Sequence, residues 1–279
     1  MLQEISPNEF HNEFEDRVPK DTDYVVAFND EKLLMNKDLP VTVSDCKKVG
    51  TPVLQYLIRI DDTAFYLLEN SDDYLDTNYQ WESIRFIRGY EPQWMGYALI
   101  TCIQLARWYD HRRYCGKCGT PMVKSKIERA MVCPHCKTIE YPKICPAVIV
   151  GVTDGDRILV SRYAGREYKK YALLAGFMEI GEDFEMTIRR EVMEEVGLKV
   201  KNITYYKSQP WAFSDTVLAG FFCQLDGLDQ IQLDEDELQE AEFLHREDLP
   251  ENKDDISLTA QMMEAFRTKT YPMYEKWEE

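Results

Sequence analysis

Strand-like runs on both sides of one strongly patterned acidic helix predict an α+β, α-β-α layered domain. Two C-x2-C pairs predict a metal ribbon ahead of that domain, and alternating apolar stretches near the start predict an N-terminal mixed α/β domain. The expected divisions are 1–110 for the N-terminal domain, 111–142 for the ribbon and 143–279 for the layered domain. A chain of 279 residues with 44% hydrophobic and 30% charged residues can bury a core and lies far from disordered or fibrous compositions.

Taken in order, "VLQYLIRI" at 53–60 and "AFYLLE" at 64–69 alternate as half-buried strands do, and Asp/Asn-rich clusters divide them. No chemical motif is visible there. "PQWMGYALITCIQLARWYDHRR" then places Ala98, Cys102, Leu105, Ala106 and Tyr109 at helical spacing and ends in Arg and His, which suits a helix C-terminus. "AVIVGVTDGDRILVSRY" predicts a hairpin turning at Asp154-Gly155-Asp156. Further strands are expected at 203–209, 216–225 and 242–245, followed by a helix from about Ser257. No internal repeat is evident.

Charge narrows the partners. With 33 Lys+Arg against 50 Asp+Glu the formal net charge is −17, so long-range electrostatics repel nucleic acid and anionic membranes. A phosphate-bearing substrate would need a divalent cation to invert the local charge. "MLQEISPNEFHNEF" lacks the features of a secretory leader and no apolar run reaches a membrane span, so a cytoplasmic protein is expected.

Cys115-x2-Cys118 and Cys133-x2-Cys136 have the spacing of two zinc knuckles, while Cys46, Cys102, Cys145 and Cys223 are scattered. Four thiolates complete a closed tetrahedral Zn²⁺ site, which is structural because it leaves no open position. His135 is then a bystander. Lys117, Lys124, Lys126 and Arg129 give the ribbon a local positive balance, a weak pointer to nucleic acid.

The stretch "GFMEIGEDFEMTIRREVMEEVGL", 176–198, concentrates carboxylates. On a helix Glu191, Glu194 and Glu195 share one side, and such like charges repel unless a cation compensates. Arg190 can orient one carboxylate while Mg²⁺ or Mn²⁺ takes the others, since hard cations prefer carboxylate oxygens. Val192 and Leu198 are expected to pack inward, and Gly176 and Gly197 to provide the turns entering and leaving the helix.

Read as G-x5-E-x7-RE-V-x-EE-x-G-L, this stretch resembles the Nudix box of the Nudix hydrolases. "SQPW" followed by Phe213, "YPK" at Tyr141, "LLAGFMEIGE" and the preceding cysteine ribbon are similar to the NADH pyrophosphatases, the NudC type of that family. The resemblance covers roughly Tyr114 to the C-terminus. It implies a Nudix α-β-α sandwich that hydrolyses the diphosphate of NAD(H) to nicotinamide mononucleotide and AMP and removes NAD caps from RNA. It also implies that Glu191, Glu194, Glu195 and Glu237 bind Mg²⁺ or Mn²⁺ or act as base, with Arg190 beside them and Glu182 assisting. Phe177 and Trp211 would stack the nicotinamide, Trp211 from the partner subunit of a homodimer. Tyr141, Gln209, Ala260 and the backbone near Ala175 would line the pocket. The chain departs from the usual SQPWPFPxS at Ala212, Ser214 and Thr216, and loss of two prolines is expected to loosen that loop. This keeps open ADP-ribose or another nucleoside diphosphate as substrate. A non-catalytic Nudix-like RNA-binding regulator is the other alternative.

Overall fold

The computed structural model describes residues 1–29, 31–74, 78–165, 170–251 and 256–272. The chain divides into two compact units, Leu2–Lys143 and Ile144–Glu279, with Met1 counted in the second. No helix among the described residues is long and apolar enough to cross a membrane.

The first unit opens with β1 (Phe10–His11), β2 (Tyr24–Val26), β3 (Phe28–Asn29), β4 (Lys32–Asn36) and β5 (Leu39–Pro40). Then come α1 (Val43–Val49), β6 (Leu54–Ile60), β7 (Thr63–Leu68), β8 (Gln80–Ser83) and α2 (Gln93–His111). The two alternating runs are β6 and β7, paired antiparallel, in a sheet ordered β1-β6-β7-β2. The short helix α1 was not expected, but Thr42 and Asp45 announce it. The Thr42 side chain takes the Asp45 N–H, and the Asp45 carboxylate takes the Thr42 N–H at 3.1 Å, a reciprocal cap. Three two-residue strands, β9 (Val123–Lys124), β10 (Met131–Val132) and β11 (Ile139–Glu140), form the ribbon's own sheet in the order β11-β10-β9.

The second unit is a mixed sheet of β12 (Cys145–Asp154), β13 (Arg157–Tyr163), β14 (Leu174–Phe177), β15 (Val200–Trp211), β16 (Thr216–Leu225) and β17 (Leu238–His245). Its order is β15-β16-β12-β13-β17, β14 pairs with β12, and β12 runs parallel to β16. Successive side chains of a strand leave opposite faces, and that alternation sorts the core. Val148, Val150 and Val152 of β12 join Ile188, Val192 and Val196 of α3 (Phe184–Val196). Ile149, between them, joins Leu258, Met262 and Phe266 of α4 (Leu258–Arg267) on the other face. The α-β-α sandwich is thus written in the period of β12. The hairpin turns at Gly155-Asp156 as expected, and Ser257 caps α4 by accepting from the Ala260 N–H.

Candidate functional site

Asp183, just ahead of α3, accepts the Met186 N–H at 2.7 Å, and Gly197 ends the helix in the left-handed region at φ 70°. Val192 and Leu198 are buried, as their spacing predicted. Gly176 does something other than turn the chain: it lies inside β14, paired with Val148. A Cβ built on it would sit 1.9 Å from the Glu191 carboxyl carbon. The glycine is required for space, because the Glu191 carboxyl rests against the strand at that point.

Arg190 is the hub. Its Nε and Nη2 bind the two oxygens of Glu182 at 2.7 and 2.9 Å, a bidentate fork. Nη1 donates to Glu191 at 2.8 Å and to Glu194 at 3.0 Å, and Nη2 also donates to the Phe177 carbonyl at 2.9 Å. One guanidinium therefore joins the loop before α3, two helix carboxylates and the end of β14. The hydrogen bonds from Arg190, followed by the Glu179 N–H and the Thr187 hydroxyl, lower the Glu182 carboxyl to about 2. The Glu182 carboxylate first, then Glu191 and Glu194, raise Arg190 further above its ordinary value.

Glu195 has the opposite environment. It is 2% exposed, and its Oε2 has no hydrogen-bond partner among the described residues. Burial first, then the charges of Glu191, Glu237 and Asp234, push its carboxyl up to about 8, against a partly offsetting bond from the Ala175 backbone. Glu191 is raised too, chiefly by burial, with Arg190 opposing the shift. Glu194 is on the exposed flank. The loop before β17 brings the remaining acids: the Asp234 N–H donates to the Glu195 carbonyl at 3.0 Å, and the Gln232 N–H to the Val196 carbonyl at 2.9 Å. These bonds satisfy the last carbonyls of α3 and carry exposed Glu237 to the acidic side of the helix.

Does this arrangement suit a divalent cation? The donors are all carboxylate oxygens, which Mg²⁺ and Mn²⁺ prefer. A buried, unpartnered Glu195 Oε2 is costly without a positive partner. The set fits. It is not drawn tight, however: among the described residues, only the four cysteines gather their ligand atoms within 4.8 Å of one another. Arg190 occupies an oxygen of both Glu191 and Glu194 in this arrangement.

The residues expected to meet the substrate are distributed as follows. Phe177 ends β14 and is 54% exposed, and Trp211 ends β15 with its ring 4.9 Å from that of Phe213. The Trp211 loop is closed without its prolines. The Ser214 N–H reaches the Trp211 carbonyl at 3.2 Å, the Ser214 and Thr216 hydroxyls meet at 2.8 Å, and the Cys145 N–H holds the Asp215 carbonyl at 2.7 Å. Gln209 is fully buried, and its amide is spent on the backbone before α4: Nε2 donates to the Ile256 carbonyl and Oε1 accepts the Leu258 N–H, both at 2.7 Å. Ala260 lies buried in the first turn of that helix. The Ala175 N–H serves Glu195, and Tyr141 belongs to the other unit, exposed, with its hydroxyl 3.4 Å from Glu128.

In the ribbon, Sγ of Cys115 and Cys136 lie 3.5 Å apart, those of Cys118 and Cys133 3.5 Å, and those of Cys118 and Cys136 3.6 Å. A tetrahedron with Zn–S near 2.3 Å has edges of about 3.8 Å, so these sulfurs are placed for zinc. The knuckles also show a local repeat that residue types alone concealed. The Cys115 N–H bonds the Thr120 carbonyl at 2.9 Å, and the Cys133 N–H bonds the Thr138 carbonyl at 2.9 Å. Gly119 at φ 73° and Lys137 at φ 65° occupy the same left-handed position. Because one of the pair is lysine, the sequence does not announce the match. The basic residues are partly spent internally: Arg129 donates to Asn12 and the Leu57 carbonyl, and Lys124 pairs with Glu69.

Sequence reasoning passed over Thr187, Asp234, Thr120 and Thr138. Thr187 bonds Glu182 and Asp234 bears on Glu195, while the two threonine hydroxyls touch cysteine sulfurs. Asp183 was the one available signal for the helix start, as a capping residue ahead of the acidic run.

Fold and site together define a Nudix domain behind a zinc ribbon. Residues 143–266 match the family model described as NUDIX domain, and residues 110–141 match the NADH pyrophosphatase zinc ribbon domain. The chain therefore carries matches to both domains, the ribbon ahead of the NUDIX domain. Among curated proteins it is 43% identical over 148 residues to the NAD-capped RNA hydrolase NudC of Salmonella paratyphi C (strain RKS4594), covering 53% of this chain and 57% of that protein. The NAD-capped RNA hydrolase NudC of Escherichia coli O9:H4 (strain HS) matches at the same identity over the same shares. The match thus spans little more than half the length of these relatives. A solved NUDIX hydrolase from Nitrosomonas europaea aligns with TM-score 0.49 and 22% identity over 56% of this chain and 91% of that one.

Proposed function

We propose that the protein is a metal-dependent hydrolase of the diphosphate linkage of NAD(H), yielding nicotinamide mononucleotide and AMP, and that it also removes NAD caps from RNA. The observation that carries the reading is the pairing of an Arg190 fork with a buried, unpartnered Glu195 oxygen beside Glu191 and Glu237. The 43% identity to proteins named NAD-capped RNA hydrolase directs it toward this substrate.

Glu191, Glu194, Glu195 and Glu237 would hold Mg²⁺ or Mn²⁺, with Glu182 assisting through Arg190. Such ions supply charge neutralisation on the phosphates and an acidified water. Arg190 keeps Glu182, Glu191 and Glu194 in register with the end of β14. Glu195, buried with one oxygen unpartnered beside Glu191 and Glu237, is read as a metal ligand or as the base. Phe177 and Trp211 offer ring faces for the nicotinamide, and Gln209 holds the helix of Ala260 against β15. The backbone near Ala175 and, separately, Tyr141 are read as nucleotide-binding positions. We further read the chain as divided at 1–110, 111–142 and 143–279, and as a cytoplasmic homodimer whose partner subunit supplies Trp211.

The test is hydrolysis of NADH, NAD⁺, ADP-ribose and NAD-capped RNA side by side, with Mg²⁺, with Mn²⁺ and with neither. Mononucleotide and AMP from NADH in a metal-dependent way is the expected result. Turnover of ADP-ribose alone would favour the second reading, which the altered Ala212-Phe213-Ser214 loop keeps open.

A further inference from the structure

The four ribbon sulfurs are not alike. Cys115 and Cys133, the first of each knuckle, are 4% and 0% exposed. Cys118 is exposed and Cys136 half-buried. It is these two outer sulfurs that meet a hydroxyl: Cys118 Sγ lies 3.3 Å from Thr120 Oγ1, and Cys136 Sγ lies 3.2 Å from Thr138 Oγ1. The two threonines are equivalent in the repeat, each two residues past its cysteine and each tied by its carbonyl to the N–H of the inner cysteine. The bonds run through the backbone knuckle, so the hydroxyls are held at the sulfurs by the same turn that shapes the metal site.

We infer that Thr120 and Thr138 are positioning residues for the zinc, each donating its hydroxyl hydrogen to an outer, metal-bound thiolate. A hydroxyl rotates to donate or accept as its partner requires. A thiol can donate to oxygen, but a thiolate only accepts, so formation of the zinc site turns the O–H toward sulfur. Donation withdraws charge from the thiolates that water and oxidants can reach, making them poorer targets for protons and electrophiles while they stay bound. The inner pair obtains the same protection from burial. Two means of shielding, each used twice, then account for the whole site.

Isosteric substitution isolates the hydroxyl. Thr120→Val and Thr138→Val, singly and together in the full chain, preserve the methyl and the shape, whereas Thr→Ser keeps the hydroxyl. Zinc retention is read by competition with a chromogenic chelator, and thiolate donation by the sulfur-to-metal charge-transfer band of the cobalt-substituted protein. Loss of an outer-shell partner typically weakens metal binding by about 10–100-fold, so each Val variant should release zinc at a lower chelator concentration by about tenfold. Its charge-transfer band should also move, and the Ser variants should stay near the parent in both readings. Unchanged retention and spectrum in the double Val variant would overturn the proposal. So would equal loss in the Ser and Val variants, which would assign the effect to packing of the threonine methyl.

Discussion

Glu195 is the residue at which function and stability pull apart. Its carboxyl is raised from an ordinary 4.5 to about 8 when no cation neutralises it. Between those values the folded protein keeps a proton that the unfolded chain has released. The sign follows: stability relative to an ionised side chain is full below about pH 4.5 and is lost as pH rises toward 8. Glu195→Gln cannot ionise. In buffer free of added Mg²⁺ and Mn²⁺, with the ribbon zinc left in place, the variant should melt above the parent at pH 8 and level with it at pH 5. If Glu195 binds the metal or acts as base as proposed, the variant should also turn over substrate at least about a hundredfold more slowly. Scanning fluorimetry across pH with added Mg²⁺ as a second series checks this, since the cation should raise the parent's melting temperature more than the variant's. A parent curve flat from pH 5 to 8 would contradict the burial argument. Gly176 supports a neighbouring prediction. Gly176→Ala places a methyl where the Glu191 carboxyl sits, so the variant should fold with β14 paired but lose most metal-dependent turnover. Circular dichroism beside an activity assay distinguishes that outcome from unfolding.

Among the elements, local patterns were legible and long-range partners were not. The acidic helix, its Gly197 stop, the 154–156 hairpin and the Ser257 cap all follow from spacing and cap chemistry within a few residues. Gly176 was read as a turn because a sequence shows that small size is wanted without showing whether for backbone angle or for room. The pairing of Arg190 with Glu194, four residues on, could be drawn from helical spacing, but its bonds to adjacent Glu191 and to the Phe177 carbonyl could not, the latter needing the return of β14 beside β12. Gln209 is the plainest case, since its partners Ile256 and Leu258 lie beyond both β16 and β17. That geometry makes a stability prediction. Gln209→Leu fills similar volume yet leaves the Leu258 N–H and the Ile256 carbonyl without the amide, at a cost of about 2–4 kcal/mol. Urea unfolding should show a lower midpoint with little change in slope. A shift below about 0.5 kcal/mol would mean that α4 is held by Leu258, Met262 and Phe266 alone.

For the molecule as a whole, the formal charge of −17 decides how a polyanion approaches. Proteins that bind nucleic acid through a basic track lose affinity steeply with salt, because bound counterions are released. Of the ribbon's basic residues Lys124 is paired with Glu69, and Arg129 is held by Asn12 and the Leu57 carbonyl. The surrounding field is repulsive, and screening of repulsion speeds encounter. If NAD-capped RNA is a substrate, its kcat/KM relative to that of NADH should therefore hold steady or rise between about 50 and 300 mM KCl, a range over which the Debye length falls below about 10 Å. The ratio removes effects of salt on the chemical step common to both substrates. A steep fall in the ratio would instead reveal a cationic track strong enough to overcome the net charge, with Lys117 and Lys126 of the ribbon the first residues to replace. Measured as a ratio on one preparation, the salt dependence thus reads whether the RNA is held by its cap at the acidic, metal-dependent site alone or along its backbone as well.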